Sequence, residues 1–156
     1  ATFTGSILTS FEDALAVCTA LIAYIPMLMD TGGNAGGQAS VTIIRGISLN
    51  EIEFKDIFRV IFKEMRVAIL CGVTLAAANF VKLLLVDKVG IMVAVVVCLT
   101  LIAAVIIAKM VGCLLPLLAK KIGFDPAVMA SPFITTIVDV LSLLVYFQIA
   151  TSLLHL

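Results

Sequence analysis

Four stretches of this chain run apolar for longer than the core of a small soluble domain requires. Residues 14–29 carry no charge, and residues 67–86 are interrupted only by Asn79 and Lys82. Residues 90–108 are uncharged and continue apolar past Lys109 to residue 119, and residues 126–154 hold a single charge, Asp139. A helix needs ~20 mainly apolar residues to cross the hydrocarbon of a bilayer. The alternation that a membrane β-barrel requires is absent from these runs. The expected fold is therefore all-α. It is a membrane bundle of four complete transmembrane helices over residues 12–38, 64–87, 89–119 and 126–154, with no soluble domain. Composition points the same way: 63% of residues are hydrophobic and 13% charged, where a soluble domain has about half and about a quarter. The 10 Lys+Arg are matched by 10 Asp+Glu, so no basic excess exists to hold a nucleic acid. Cys18, Cys71, Cys98 and Cys113 all lie in apolar runs without a CxxC partner or a nearby His, and read as small apolar residues in helices.

Charge placement sets the expected orientation. Arg45, Lys55, Arg59, Lys63 and Arg66 lie between the first and second spans, and Lys120 and Lys121 between the third and fourth; the opposite side has only Lys82 and Lys88. The positive-inside rule places the two basic connections in the cytoplasm and the C-terminus outside. Ser48 and Glu51 fit a capping box. Phe54, Ile57, Phe58, Ile61, Phe62 and Met65 follow at spacings of three and four, so residues 49–63 are expected to form an amphipathic helix at the membrane interface. Residues 1–10 are too short to span and lack a signal-peptide layout; the chain reads as a fragment whose preceding part is missing. Lys82 and Lys109 are expected to snorkel to opposite interfaces. His155 reads as interfacial. Gly72, Ala76, Ala77 and Ala78 offer a small-residue surface for helix contact.

Asp139 is the residue with most to explain. It sits near the middle of the last span, where a charge costs ~2.5–3.5 kcal/mol on insertion scales. Such a carboxylate normally faces a water-filled cavity or a partner. Ser131, Thr135, Asp139, Ser142 and Tyr146 recur at spacings of three and four, which aligns them on one helix face. The plainer alternative is a buried Asp bonded to a hydroxyl on another helix.

The second feature is the run Tyr24-Ile-Pro-Met-Leu-Met-Asp-Thr-Gly-Gly-Asn-Ala-Gly-Gly-Gln38. Pro26 removes a donor and is expected to kink the first span. The glycines allow close approach of a helix or an ion. Asp30, Asn34 and Gln38, four apart, align their oxygens on a helix. Carboxylate and amide oxygens suit hard cations such as Mg²⁺. The run lacks the Gly-Lys-Ser/Thr ending of a phosphate loop; a plain helix-packing segment is the alternative. Together the two features suggest a path between the first and last spans lined by Asp30, Asn34 and Asp139. Mg²⁺ keeps several of its waters, so one central carboxylate with amide, hydroxyl and carbonyl groups around it would suffice.

Residues 26–38, followed by Arg45-Gly46, resemble the signature of the MgtE family of magnesium channels and transporters. Pro126-Ala127, Ser131-Pro132, Thr135 and Asp139 resemble that family's last transmembrane helix. The resemblance implies a homodimer in the inner (plasma) membrane with an ion path in each five-helix protomer domain. Against that pattern the chain reads as lacking the first of the five helices and the cytosolic Mg²⁺-sensing region of many members. It places the family's ion-binding acidic residue on Asp139 and its Gly-Gly-Asn motif on Gly32, Gly33 and Asn34. Asp30 is proposed on its chemistry alone. Gln38, Ser131, Thr135, Ser142 and Tyr146 are expected to line the path or hold the ion's waters, with Gly32 and Gly33. Oxygen ligands of this kind also accept Mn²⁺ or Co²⁺. An intramembrane metal- or carboxylate-dependent enzyme built on Asp30 and Asp139, a coupled carrier of another ion, and a non-conducting subunit with Asp139 at a helix contact are the competing readings.

Overall fold

The computed structural model describes residues 19–129 and 131–154, less the side chains of Met129 and Ser131. Residues 1–10, the start of the expected first span, Cys18 and His155 lie outside the described residues. After a helical turn, Thr19–Ile22, four long helices follow: α1 (Ile25–Ser48), α2 (Ile57–Leu85), α3 (Ile91–Lys121) and α4 (Ser131–Leu154). Short 3-10 turns, Phe54–Asp56 and Pro126–Met129, precede α2 and α4. The described residues contain no strand. Three helical segments, Phe54–Leu85, Ile91–Lys121 and Pro132–Leu154, are long and apolar enough to cross a membrane. α1 has the length, with 24 residues, but its Gly, Asn, Gln, Thr and Ser content makes it more polar than the other three.

α3 is the hub. It packs along α1, α2 and α4, and α1 also packs on α4. One broad side of α3 is therefore buried, with Val96, Val97, Leu101, Ala104 and Ala108 closed from solvent, while Leu99 on the other side is exposed. Pro116 sits inside α3 without ending it, as packed membrane helices tolerate. The tightest crossing joins α1 to α3. A Cβ on Gly112 would collide with the carbonyl of Gly36, and one on Gly36 would fall 3.0 Å from the Ala108 carbonyl oxygen. Only residues without a side chain let the two backbones touch there.

α2 lies against α3 through Val60, Glu64, Ala68, Gly72 and Ala76, a seam of every fourth residue. Gly72 and Ala76 thus make the expected close contact, whereas Ala77 and Ala78 point away and are exposed.

Helix ends account for several departures from the sequence reading. Pro26 does not kink a span; it occupies the first turn of α1, where its missing donor has no role. The break comes just before it, where the Tyr24 N–H donates to the Leu21 carbonyl. α1 also runs on past residue 38 to Ser48. The expected capping box at Ser48 is not formed, because Ser48 is still helical and its hydroxyl donates to the Ile44 carbonyl. Asn50, at φ 57°, ends the helix instead. The Asn50 and Glu51 N–H groups return to the carbonyls of Ile47 and Gly46, a Schellman closure. The next helical turn starts at Phe54, where the Asp56 carboxylate accepts from the Glu53 N–H at 3.0 Å. From Phe54 the chain passes through the 3-10 turn straight into α2. The expected interfacial helix over residues 49–63 is thus the first part of one continuous rod, and residues 49–53 are not helical. The Lys121 ammonium rests 4.2 Å from the centre of the Phe54 ring and ties that rod to the end of α3.

At the opposite end of the bundle the Asp87 carboxylate accepts from the Tyr24 hydroxyl at 3.1 Å and the Lys82 ammonium at 3.0 Å. Lys82, above all, holds the Asp87 carboxyl below its ordinary value, against partial desolvation, with Tyr24 adding to the effect. Lys82 therefore ends at the helix terminus, paired. Lys109 does not reach an interface; it is buried in an ion pair with Glu64, 3.0 Å apart.

Candidate cation site

The glycine-rich half of α1 faces α4. A Cβ on Gly33 would stand 3.1 Å from the Thr135 methyl and 4.0 Å from an Asp139 carboxylate oxygen. The absent side chain leaves a cleft of about 180 Å³ lined by Met29, Asp30, Gly33, Asn34, Thr135 and Asp139. Two carboxylates and an amide thus meet across two helices that are far apart in sequence, beside Thr135, whose hydroxyl donates to the Pro132 carbonyl at 3.0 Å. Asp30 and Asn34 are four residues apart on one exposed stripe of α1, and Asp139 is half-buried opposite.

The cleft is not isolated. Gly33 and Asn34 also border a cavity of about 540 Å³ that extends along α1 past Gly37, Gln38, Val41 and Thr42. Asp30 and Asn34 border another, of about 250 Å³, which reaches between α1, α2 and α3 to Gln38, Cys71 and Lys109. Asn34 lines all three. Gln38 lines the two larger spaces but not the cleft that holds Asp139.

Other residues expected at the path are placed elsewhere. Gly32 is buried against α4 and α3; its missing Cβ would lie 3.0 Å from a Val138 methyl and 3.2 Å from the Ser142 hydroxyl oxygen. Ser142 is closed from solvent, and its hydroxyl has no hydrogen-bond partner among the described residues. Tyr146 is fully buried, stacks on Phe147 and donates its hydroxyl to the Leu21 carbonyl at 2.9 Å. These residues do share a face with Asp139, but α1 and the Thr19–Ile22 turn cover that face from Ser142 onward. The polar stripe is open at Thr135 and Asp139 and closed beyond. The Ser131 side chain lies outside what the structure describes.

The donor set is oxygen throughout. Among the described residues no three His, Cys, Asp or Glu side chains cluster as a closed metal site. Two carboxylates and an amide in a solvent-connected cleft cannot strip a small divalent cation of all its water, but they can bind one that keeps most of its shell. That chemistry suits passage better than permanent retention. Sequence reading missed the 250 Å³ chamber and the Glu64–Lys109 pair beside it. Lys109, a charge inside an apolar run, was the available signal, but its pairing with Glu64 across 45 positions was not.

Fold and cleft together define a helical membrane protein with a groove between two of its helices lined by two carboxylates and an amide. The chain belongs to the MgtE family: the family model for divalent cation transporters matches residues 25–149. It is 40% identical to the magnesium transporter MgtE of Thermus thermophilus and 38% identical to that of Bacillus subtilis, each over 97% of this chain. A third relative, the magnesium transporter MgtE of Enterococcus faecalis, is 30% identical. The chain spans about a third, 33%, of the length of each of these relatives. The family is one of transporters, not enzymes, which sets aside the intramembrane-enzyme reading.

Proposed function

We propose that this chain forms the membrane part of a Mg²⁺ transporter, with an ion path in the cleft between α1 and α4. Asp139 is its central carboxylate, and Asp30, Asn34 and Thr135 hold the waters of a partly hydrated ion. One observation carries the reading: the cleft brings the α1 glycine motif against the one carboxylate of α4. The family match and the relatives' names supply the ion. Oxygen donors of this kind also pass Mn²⁺ or Co²⁺.

In this reading α1 is a fourth span despite its polarity, because its polar stripe faces the path rather than lipid. The Arg45 and Lys120–Lys121 ends face the cytoplasm and the C-terminus faces outward. The protein sits in the plasma membrane as a homodimer, as the family resemblance implies. Gln38 lines the path on the Arg45 side of the cleft. Gly32, Ser142 and Tyr146 shape its closed end by packing.

The test is Mg²⁺ influx into proteoliposomes of the full-length protein, read by an internal fluorescent Mg²⁺ reporter. Influx well above that of protein-free vesicles is expected. Equal rates with and without protein, across imposed Mg²⁺ and pH gradients, would defeat the proposal.

A further inference from the structure

The chamber of about 250 Å³ places a cation beside the cation path. Its lining includes Asp30, Asn34 and Gln38 of α1, Cys71 of α2 and Lys109 of α3. A lysine ammonium there has two carboxylates within the same region to choose from. It is paired with Glu64 on α2, at 3.0 Å, and both side chains are about nine-tenths buried, at 11% exposure each. No ion pair joins Lys109 to Asp30 among the described residues. The burial of the pair matters: a charge stripped of its partner in such a place must find another, and its field is weakly screened.

Resting on the transport reading above, we propose that Glu64 is a positioning residue for the ion path. By holding the Lys109 ammonium at the α2 wall, it keeps Asp30 free to attract a divalent cation. Without Glu64 the flexible lysine stem turns its charge toward Asp30. The chamber then changes from net negative to neutral, and its attraction for a cation is lost. Removing Lys109 alone leaves Glu64 without its partner but brings no positive charge toward Asp30.

Cys71 offers a readout inside the same chamber, where it is exposed. In the full-length protein with its other cysteines replaced by alanine, Cys71 is modified with a cationic and with a neutral methanethiosulfonate reagent, and the ratio of the two rates is taken. Glu64→Gln is expected to lower that ratio about tenfold, the size of a unit charge change at short range in a partly screened site. Lys109→Met is expected to hold or raise it, and the double variant Glu64→Gln/Lys109→Met to return it to within about twofold of the parent. Mg²⁺ influx should follow the same order. A ratio unchanged in Glu64→Gln would overturn the proposal, as would a double variant as low as the single one. The labelling ratio is read whether or not the parent conducts. A parent without Mg²⁺ flux but with the expected ratios would therefore fail the transport reading and leave the placement of Lys109 by Glu64 supported.

Discussion

Asp139→Asn is expected to slow Mg²⁺ influx by at least about a hundredfold while leaving the protein folded. The amide has nearly the volume of the carboxylate, so the shape of the cleft lined by Gly33, Thr135 and residue 139 is kept. Removing a charge from the middle of an apolar helix does not cost folding energy. What is lost is the attraction for a dication. A doubly charged ion about 5 Å from a carboxylate, across one bridging water, gains roughly 6–7 kcal/mol at an effective dielectric constant of about 20, before desolvation is subtracted. Retaining about two-fifths of that, ~2.7 kcal/mol, already amounts to a hundredfold. Asp30→Asn is expected to do less, because Asp30 is exposed and its field is more strongly screened. Parallel influx assays with matched size-exclusion profiles check both. Parent-like influx by Asp139→Asn would remove that carboxylate from the path.

The second large effect is on assembly. Gly112→Leu is expected to abolish the α1–α3 crossing, because its Cβ alone would collide with the Gly36 carbonyl. That obstacle is helix backbone, which cannot rotate aside as a side chain does. Overpacking a good core costs ~1–3 kcal/mol, and forcing two backbones apart along their length costs more. Moving α1 also moves Asp30, Gly33 and Asn34 away from Asp139, so structure and site fail together. Gly90→Ala is the control, since a Cβ there meets nothing within 4 Å. Thermal size-exclusion of detergent-solubilised protein should show Gly90→Ala within a few degrees of the parent and Gly112→Leu aggregated or strongly destabilised. A Gly112→Leu protein as stable as the parent would show that the crossing is not as close as described.

Much of this arrangement was legible because membrane helices announce themselves by composition and length. The same simplicity limits what can be read. Helical periodicity gives the angle of a residue around its own axis, so Thr135 and Asp139 were correctly placed together with Ser142 and Tyr146. It does not say which neighbour covers that face at each height. Ser142 and Tyr146 went to the core because α1 and the Thr19–Ile22 turn close over them. The glycine run served two purposes at once: Gly32 and Gly36 pack helices, while Gly33 opens the cleft. Nothing in their spacing separates these roles. The capping motif at Ser48 was a genuine local signal that lost to a stronger one, the continuation of α1 to the left-handed Asn50. Lys109 looked like a snorkelling residue because its partner, Glu64, belongs to another helix.

The most direct test is to locate a bound ion. Crystals of the full-length protein soaked in Mn²⁺, an oxygen-seeking cation with an anomalous signal, would show where a hydrated dication rests. The predicted result is an anomalous peak in the cleft between Asp30, Asn34 and Asp139, lost in crystals of Asp139→Asn. An ion bound elsewhere in the membrane domain, with this cleft empty, would contradict the proposed path.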